Sequence, residues 1–90
     1  MSINIYKEEK FETIKHLCED DWELPSQMHE LEKWLDKEGK NLPKGKYIAD
    51  IGFEVRNDAS GGGGVLSSKM IEILNKIGME IYFSEYRNEK

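Results

Sequence analysis

Tyr47-Ile48-Ala49-Asp50-Ile51-Gly52-Phe53-Glu54-Val55 places apolar side chains at every odd position and interrupts them with Asp50, Gly52 and Glu54, the period of a strand with one face on a core. Ile48 breaks the polarity of the outer face and implies partial cover there. The loop Arg56-Asn57-Asp58-Ala59-Ser60-Gly61-Gly62-Gly63-Gly64 follows, and the period then changes to that of a helix. Met70, Ile71, Ile73, Leu74 and Ile77 trace an apolar stripe of about ten residues, with Ser67 or Ser68 as N-cap and Gly78 as C-cap. Met79-Glu80-Ile81-Tyr82-Phe83-Ser84-Glu85-Tyr86, rich in aromatics, reads as a closing strand. Strand, helix and strand make a β-α-β unit with a right-handed crossover and parallel strands, which need not be neighbours.

Working back from Tyr47, the turn around Pro43 and Gly45 is preceded by Leu24, Met28, Leu31 and Leu35, the spacing of one helix face. Pro25 suits a first turn, Lys37 a last turn and Gly39 a left-handed cap, so a helix is expected from Pro25 to Glu38. Phe11, Ile14, Leu17 and Cys18 have the same spacing, which predicts another helix from about Lys7 to the acidic cluster Glu19-Asp20-Asp21, with Trp22 folding back onto the core. Ile3 and Ile5 alternate with Asn4 and Tyr6, as either a short third strand or a frayed end. The expected architecture is α+β: one domain over residues 1–90, with two N-terminal helices and a β-α-β unit, the helices packed on one small sheet.

The chain has 90 residues, 38% hydrophobic and 34% charged, with a net charge of −5. That sign argues against a nucleic-acid partner, since gripping phosphates needs an excess of Lys and Arg. The first residues carry no apolar run of signal-peptide length and no stretch is long enough to span a bilayer, so neither export nor a membrane partner is expected. A single cysteine, Cys18, forms no internal disulfide, and a cytoplasmic location follows as the expectation.

Gly61, Gly62, Gly63 and Gly64 lie between a strand and a helix, where phosphate loops occur. Val65-Leu66 replaces the Lys-Ser/Thr of a nucleotide P-loop and the third glycine of a dinucleotide fingerprint, so both motifs fail and no cofactor is expected. The bland reading is a flexible connector; the functional one is that Arg56, Asn57, Asp58 and Ser60 rim a backbone shelf for a partner's loop or for an anion. Cys18 sits among acids that raise its pKa, so a buried structural thiol is expected in place of a nucleophile. His16 and His29 have no third ligand at zinc spacing, and no metal is expected. Glu19, Asp20, Asp21 and Glu23 surround Trp22, an arrangement that is either a solvated face or a docking site in which acids attract a basic protein and an aromatic anchors it.

The residues Tyr47 to Arg56, Gly61 to Ser67 and Glu80 to Tyr86 resemble the C-terminal half of a family of small bacterial proteins, domain of unknown function 4279, which some treat as neighbours of toxin-immunity proteins. The resemblance covers roughly the last half of the chain and implies an α+β module with no assigned reaction. The expected function is therefore a non-enzymatic, protein-binding module, immunity-like, that masks a basic toxin or effector through Glu19–Glu23. The alternative is a small anion- or nucleotide-binding domain using Arg56 and Gly61–Gly64. Pairing into a homodimer is left open, because the aromatic strand Ile81–Tyr86 is a candidate sheet edge.

Overall fold

The computed structural model describes residues 2–58 and 60–87. Their order is β1 (Ile3–Lys7), β2 (Glu12–Leu17), α1 (Leu24–Lys37), a 3-10 turn (Gly39–Asn41), β3 (Tyr47–Glu54), α2 (Ser68–Ile77) and β4 (Met79–Tyr86). The four strands form one sheet in the order β2-β1-β3-β4; β1 is antiparallel to both of its neighbours and β3 runs parallel to β4. The α+β class holds, and the β-α-β unit is present with its two strands adjacent.

The expected first helix is absent. Its residues instead form a turn and the strand β2, which pairs with β1 as a hairpin, so Ile3–Lys7 is a strand anchored on both sides. The misleading signal has a physical cause. The register slips beside Ile5 and Tyr6, leaving Ile14 as an extra residue between Thr13 and Lys15. That bulge lets Ile14 and Leu17, three apart, both pack against the core, which imitates helical spacing. Phe11 and Cys18, which bracket the strand, both take left-handed backbone angles, φ 49° and 55°.

Both helices lie on one face of the sheet. Ile3, Ile5, Tyr47, Ala49, Ile51 and Met79 meet Met28, Leu31 and Leu35 of α1 and Met70, Leu74 and Ile77 of α2. α1 covers β2 and β3, while α2 covers β4. Ser67 caps α2 by accepting the Met70 N–H at 3.2 Å, and Gly78 ends the helix at φ 82°. Only Gly78 fits there, because a Cβ would stand 2.1 Å from the Gly45 carbonyl oxygen. Gly39, in contrast, is not a left-handed cap: Glu38 caps α1 at φ −123°, and Gly39 is required for space, a Cβ there meeting the Trp34 ring at 2.7 Å.

The opposite face carries Asn4, Tyr6, Ile48, Asp50, Gly52, Tyr82, Ser84 and Tyr86 by strand alternation. Ile48 is buried even on this helix-free face, with Tyr6 opposite it across the ladder. Trp22 belongs to this side and not to the core, contrary to expectation. Among the described residues no helix is long and apolar enough to cross a membrane.

Candidate protein-binding site

The strand directions define two ends of the sheet. Lys7, Tyr47 and Met79 share one end, and Ile3, Ile51 and Phe83 lie towards the other. At the first end Lys7, Lys10, Lys44 and Lys46 converge with Glu9 and Tyr47 around a cleft of about 550 Å³. At the second, β2 leads into Glu19–Glu23, and the Glu54 N–H donates to the Trp22 carbonyl at 2.9 Å.

Residues 18–23 have no regular structure, yet they are tied down from three directions. Ser2, buried, lies within hydrogen-bond distance of two carbonyls, its Oγ 2.7 Å from Cys18 O and 2.5 Å from Asp21 O. Gln27 of α1, fully buried, donates from Nε2 to Asp21 O at 2.9 Å and to Gly52 O at 2.7 Å. Gly52 lies just past the last β1–β3 pair, and the Ser2 N–H turns to Cys18, so the Gln27 amide serves the Gly52 carbonyl in its place. Asp21 accepts the Glu23 N–H on Oδ1 at 3.0 Å and the Ser26 hydroxyl on Oδ2. Its carboxylate is thus occupied in organising the entry to α1. Glu19, Asp20 and Glu23 are exposed, and the ion pairs present among the described residues, Lys33–Glu30 and Lys69–Asp36, lie elsewhere.

Trp22 packs edge-on against Tyr86, with ring centroids 5.8 Å apart at 89°. The pair stands over Gly52, where a Cβ would lie 2.8 Å from the Tyr86 ring and 3.2 Å from that of Trp22; the glycine is a place for two aromatics to meet on a strand. Beneath them is a cleft of about 160 Å³ lined by Ser2, Asn4, Trp22, Asp50, Gly52 and Tyr86. Its polar side chains include both donors and acceptors. Asp50 takes the Ser84 hydroxyl on Oδ1 at 2.8 Å, and Asn4 Oδ1 is buried with no hydrogen-bond partner among the described residues. The two aromatic rings and the Asp50 carboxylate lining the same cleft suit a cationic side chain, which the rings attract by their faces and the carboxylate by charge and hydrogen bonding.

Of the sequence-predicted residues, Trp22 takes its place at this cleft, and Glu19, Asp20 and Glu23 stay exposed beside it in sequence. Asp21 serves the backbone. The glycine loop is built differently from the expected shelf. Arg56, Asn57, Asp58, Ser60, Gly61 and Gly62 are exposed, and Ala59 lies outside the described residues. Gly61, Gly62 and Gly63 border open space, and Gly64 presses against Met28 and Leu24 of α1. The Met70 N–H at the start of α2, which an anion would want, is taken by Ser67. Asn57 joins Val55, Glu85 and Tyr86 around a depression of about 320 Å³, so the loop's first residues border the aromatic site through Tyr86. The lysines gather instead at the cleft of Lys7, Lys10, Lys44 and Lys46, which also holds Glu9; its members are scattered over two turns and gave no local motif. Asn4, Asp50 and Tyr86 also escaped the sequence reading; a lone glycine inside a strand, Gly52, was the available signal of a close approach.

Cys18, at the end of β2, is half-buried against the core. Burial first, and then Asp21 and Glu30, push its thiol up to about 11, so it is held in the unreactive form. Burial, followed by Asp50, Tyr82 and Glu8, also raises Tyr6, keeping its hydroxyl protonated on the open face. Among the described residues no group of three or more His, Cys, Asp or Glu is placed to hold a metal ion.

No family model matches the chain, and neither a curated protein nor a solved structure shows significant similarity to it. The fold and site define an α+β domain with an acidic, aromatic cleft on the open face of its sheet.

Proposed function

We propose that this chain is a non-enzymatic protein-binding module, of the immunity type that its resemblance implies, which covers a basic surface of a toxin or effector. The cleft beneath the Trp22–Tyr86 pair supports this reading: the Asp50 carboxylate lines it beside two aromatic rings, a setting for a Lys or Arg side chain of the partner. The exposed Glu19, Asp20 and Glu23 supply long-range attraction, which raises the association rate at low salt. The partly exposed Trp22 supplies an aromatic anchor already fixed in position, so little side-chain entropy is lost on docking.

A short arginine-rich peptide is the first probe, with Trp22 fluorescence as the signal. Binding is expected to weaken with salt and to fall at least about tenfold in Asp50→Asn and in Asp20→Lys, as for loss of a charged partner worth about 1.4 kcal/mol or more. Lysate capture with the same variants then reads out the natural partner. Equal capture by wild type and both variants would sink the acidic-cleft reading.

A further inference from the structure

We infer that β4 is the interface through which two copies of this chain pair, edge to edge and antiparallel, into one continuous sheet. β4 is an outer strand of eight residues, bonded among the described residues only to β3. Its backbone facing is set by two bonds: Gly78 O accepts from Tyr47 N and Tyr86 O from Val55 N. Even-numbered residues therefore turn their N–H and C=O groups to β3, and Met79, Ile81, Phe83 and Glu85 turn theirs outward.

The two edges of the sheet differ in how they are protected. β2 is bulged, carries Glu12, Lys15 and His16, and is bracketed by the left-handed residues Phe11 and Cys18, the devices that blunt an edge against pairing. β4 has no proline and no bulge, and residues 81–84 carry no charge. Tyr82 is 44% and Phe83 54% exposed. Ile71, 51% exposed, stands on the flank of α2 opposite the one that presents Lys69 to Asp36 of α1, so it overhangs the same edge.

A second copy fits this edge better than an arbitrary strand does, because the sequence of β4 is self-complementary in one register. An antiparallel two-fold pairing centred on Tyr82 sets Ile81 opposite Phe83 of the second copy, Tyr82 opposite its own equivalent and Glu80 opposite Ser84. Apolar meets apolar, aromatic meets aromatic, and neither Glu80 nor Glu85 meets another acid, the pairings that stabilise a ladder. The residues so matched at Ile81–Phe83 and Met79–Glu85 are the ones whose backbone groups face outward, so each such pair exchanges both hydrogen bonds. The two Trp22–Tyr86 clefts then open on the same face of the joined sheet.

Sedimentation equilibrium of the full chain is expected to show a dimer. Phe83→Pro, whose lost N–H is not used by β3, and Phe83→Lys, which leaves the backbone untouched, should each give a monomer with unchanged circular dichroism. The register is read by disulfide trapping in a Cys18→Ser background. Tyr82→Cys sits on the two-fold axis in a non-hydrogen-bonded pair with Cα atoms about 4.5 Å apart, within disulfide reach. Ser84→Cys would place its equivalents more than about 13 Å apart. Rapid covalent dimerisation at position 82 and none at 84 is the expected result. A wild-type monomer at the highest attainable concentration, a dimer indifferent to both Phe83 variants, or equal trapping at 84 would overturn the proposal.

Discussion

Gln27→Glu tests how the acidic segment is fixed, because it replaces the donating nitrogen by oxygen without changing shape. In the wild type that nitrogen reaches Asp21 O at 2.9 Å and Gly52 O at 2.7 Å from a fully buried position. A carboxylate there would face two carbonyl oxygens with no compensating charge, so the less costly state in the folded protein is the protonated one. Holding that proton at about pH 7, against an ordinary glutamate pKa of about 4.3, costs about 3.7 kcal/mol. The protonated group can donate to one carbonyl only, and the missing bond adds about 1 kcal/mol. The variant should therefore lose about 5 kcal/mol at about pH 7, comparable to the whole stability of many small domains. The sign with pH follows from a folded pKa raised above the unfolded one: the proton-holding cost is absent below about pH 4.3 and grows as pH rises. The deficit relative to wild type should shrink to about 1 kcal/mol near pH 4, where only the missing bond remains. Urea unfolding followed by far-UV circular dichroism at several pH values measures it. Gln27→Met is the control, since it removes the donors and the unpartnered Oε1 together and should cost about 1–3 kcal/mol with no dependence on pH. A Gln27→Glu deficit that does not change with pH, or one below about 1 kcal/mol at neutrality, would refute the reasoning.

Gly78→Ala is expected to cost about 2–4 kcal/mol in thermal or urea unfolding, combining a left-handed backbone with a clash against the Gly45 carbonyl that only backbone movement relieves. Gly62→Ala, also at positive φ but in open space, should cost only the backbone part. Cys18, with its thiol raised from 9.0 to about 11, should be alkylated near neutral pH on the order of 100-fold more slowly than an unperturbed cysteine, because the thiolate is the reacting form. Its rate should keep rising beyond pH 9, where an ordinary cysteine levels off, and a plateau there would contradict the assignment.

The elements that the sequence announced are those whose signals are local. β3 shows a period of two broken at Ile48, and α2 shows a stripe bounded by Ser67 and Gly78, both of which act as the caps they resembled. α1 runs Leu24–Lys37, one residue offset at each end from Pro25–Glu38. The stretch from Lys7 to Cys18 was misread because period alone cannot separate a helix from a bulged strand when the bulge shifts Ile14 to the face of Leu17. What favours the strand is β1, which supplies a ladder of hydrogen bonds to a segment too short to be a stable helix by itself.

For the site, the sequence by itself determined an acidic, tryptophan-bearing segment and an aromatic last strand. The tertiary structure decided that Trp22 leaves the core for the open face, that Asp21 is consumed in the turn, and that Asn4, Asp50 and Tyr86, from three different strands, converge beside it. It also decided which side of β4 is bare. Composition and period are properties of neighbours along the chain, whereas a cleft or a sheet edge depends on strand order, and strand order is set by which distant apolar faces bury one another.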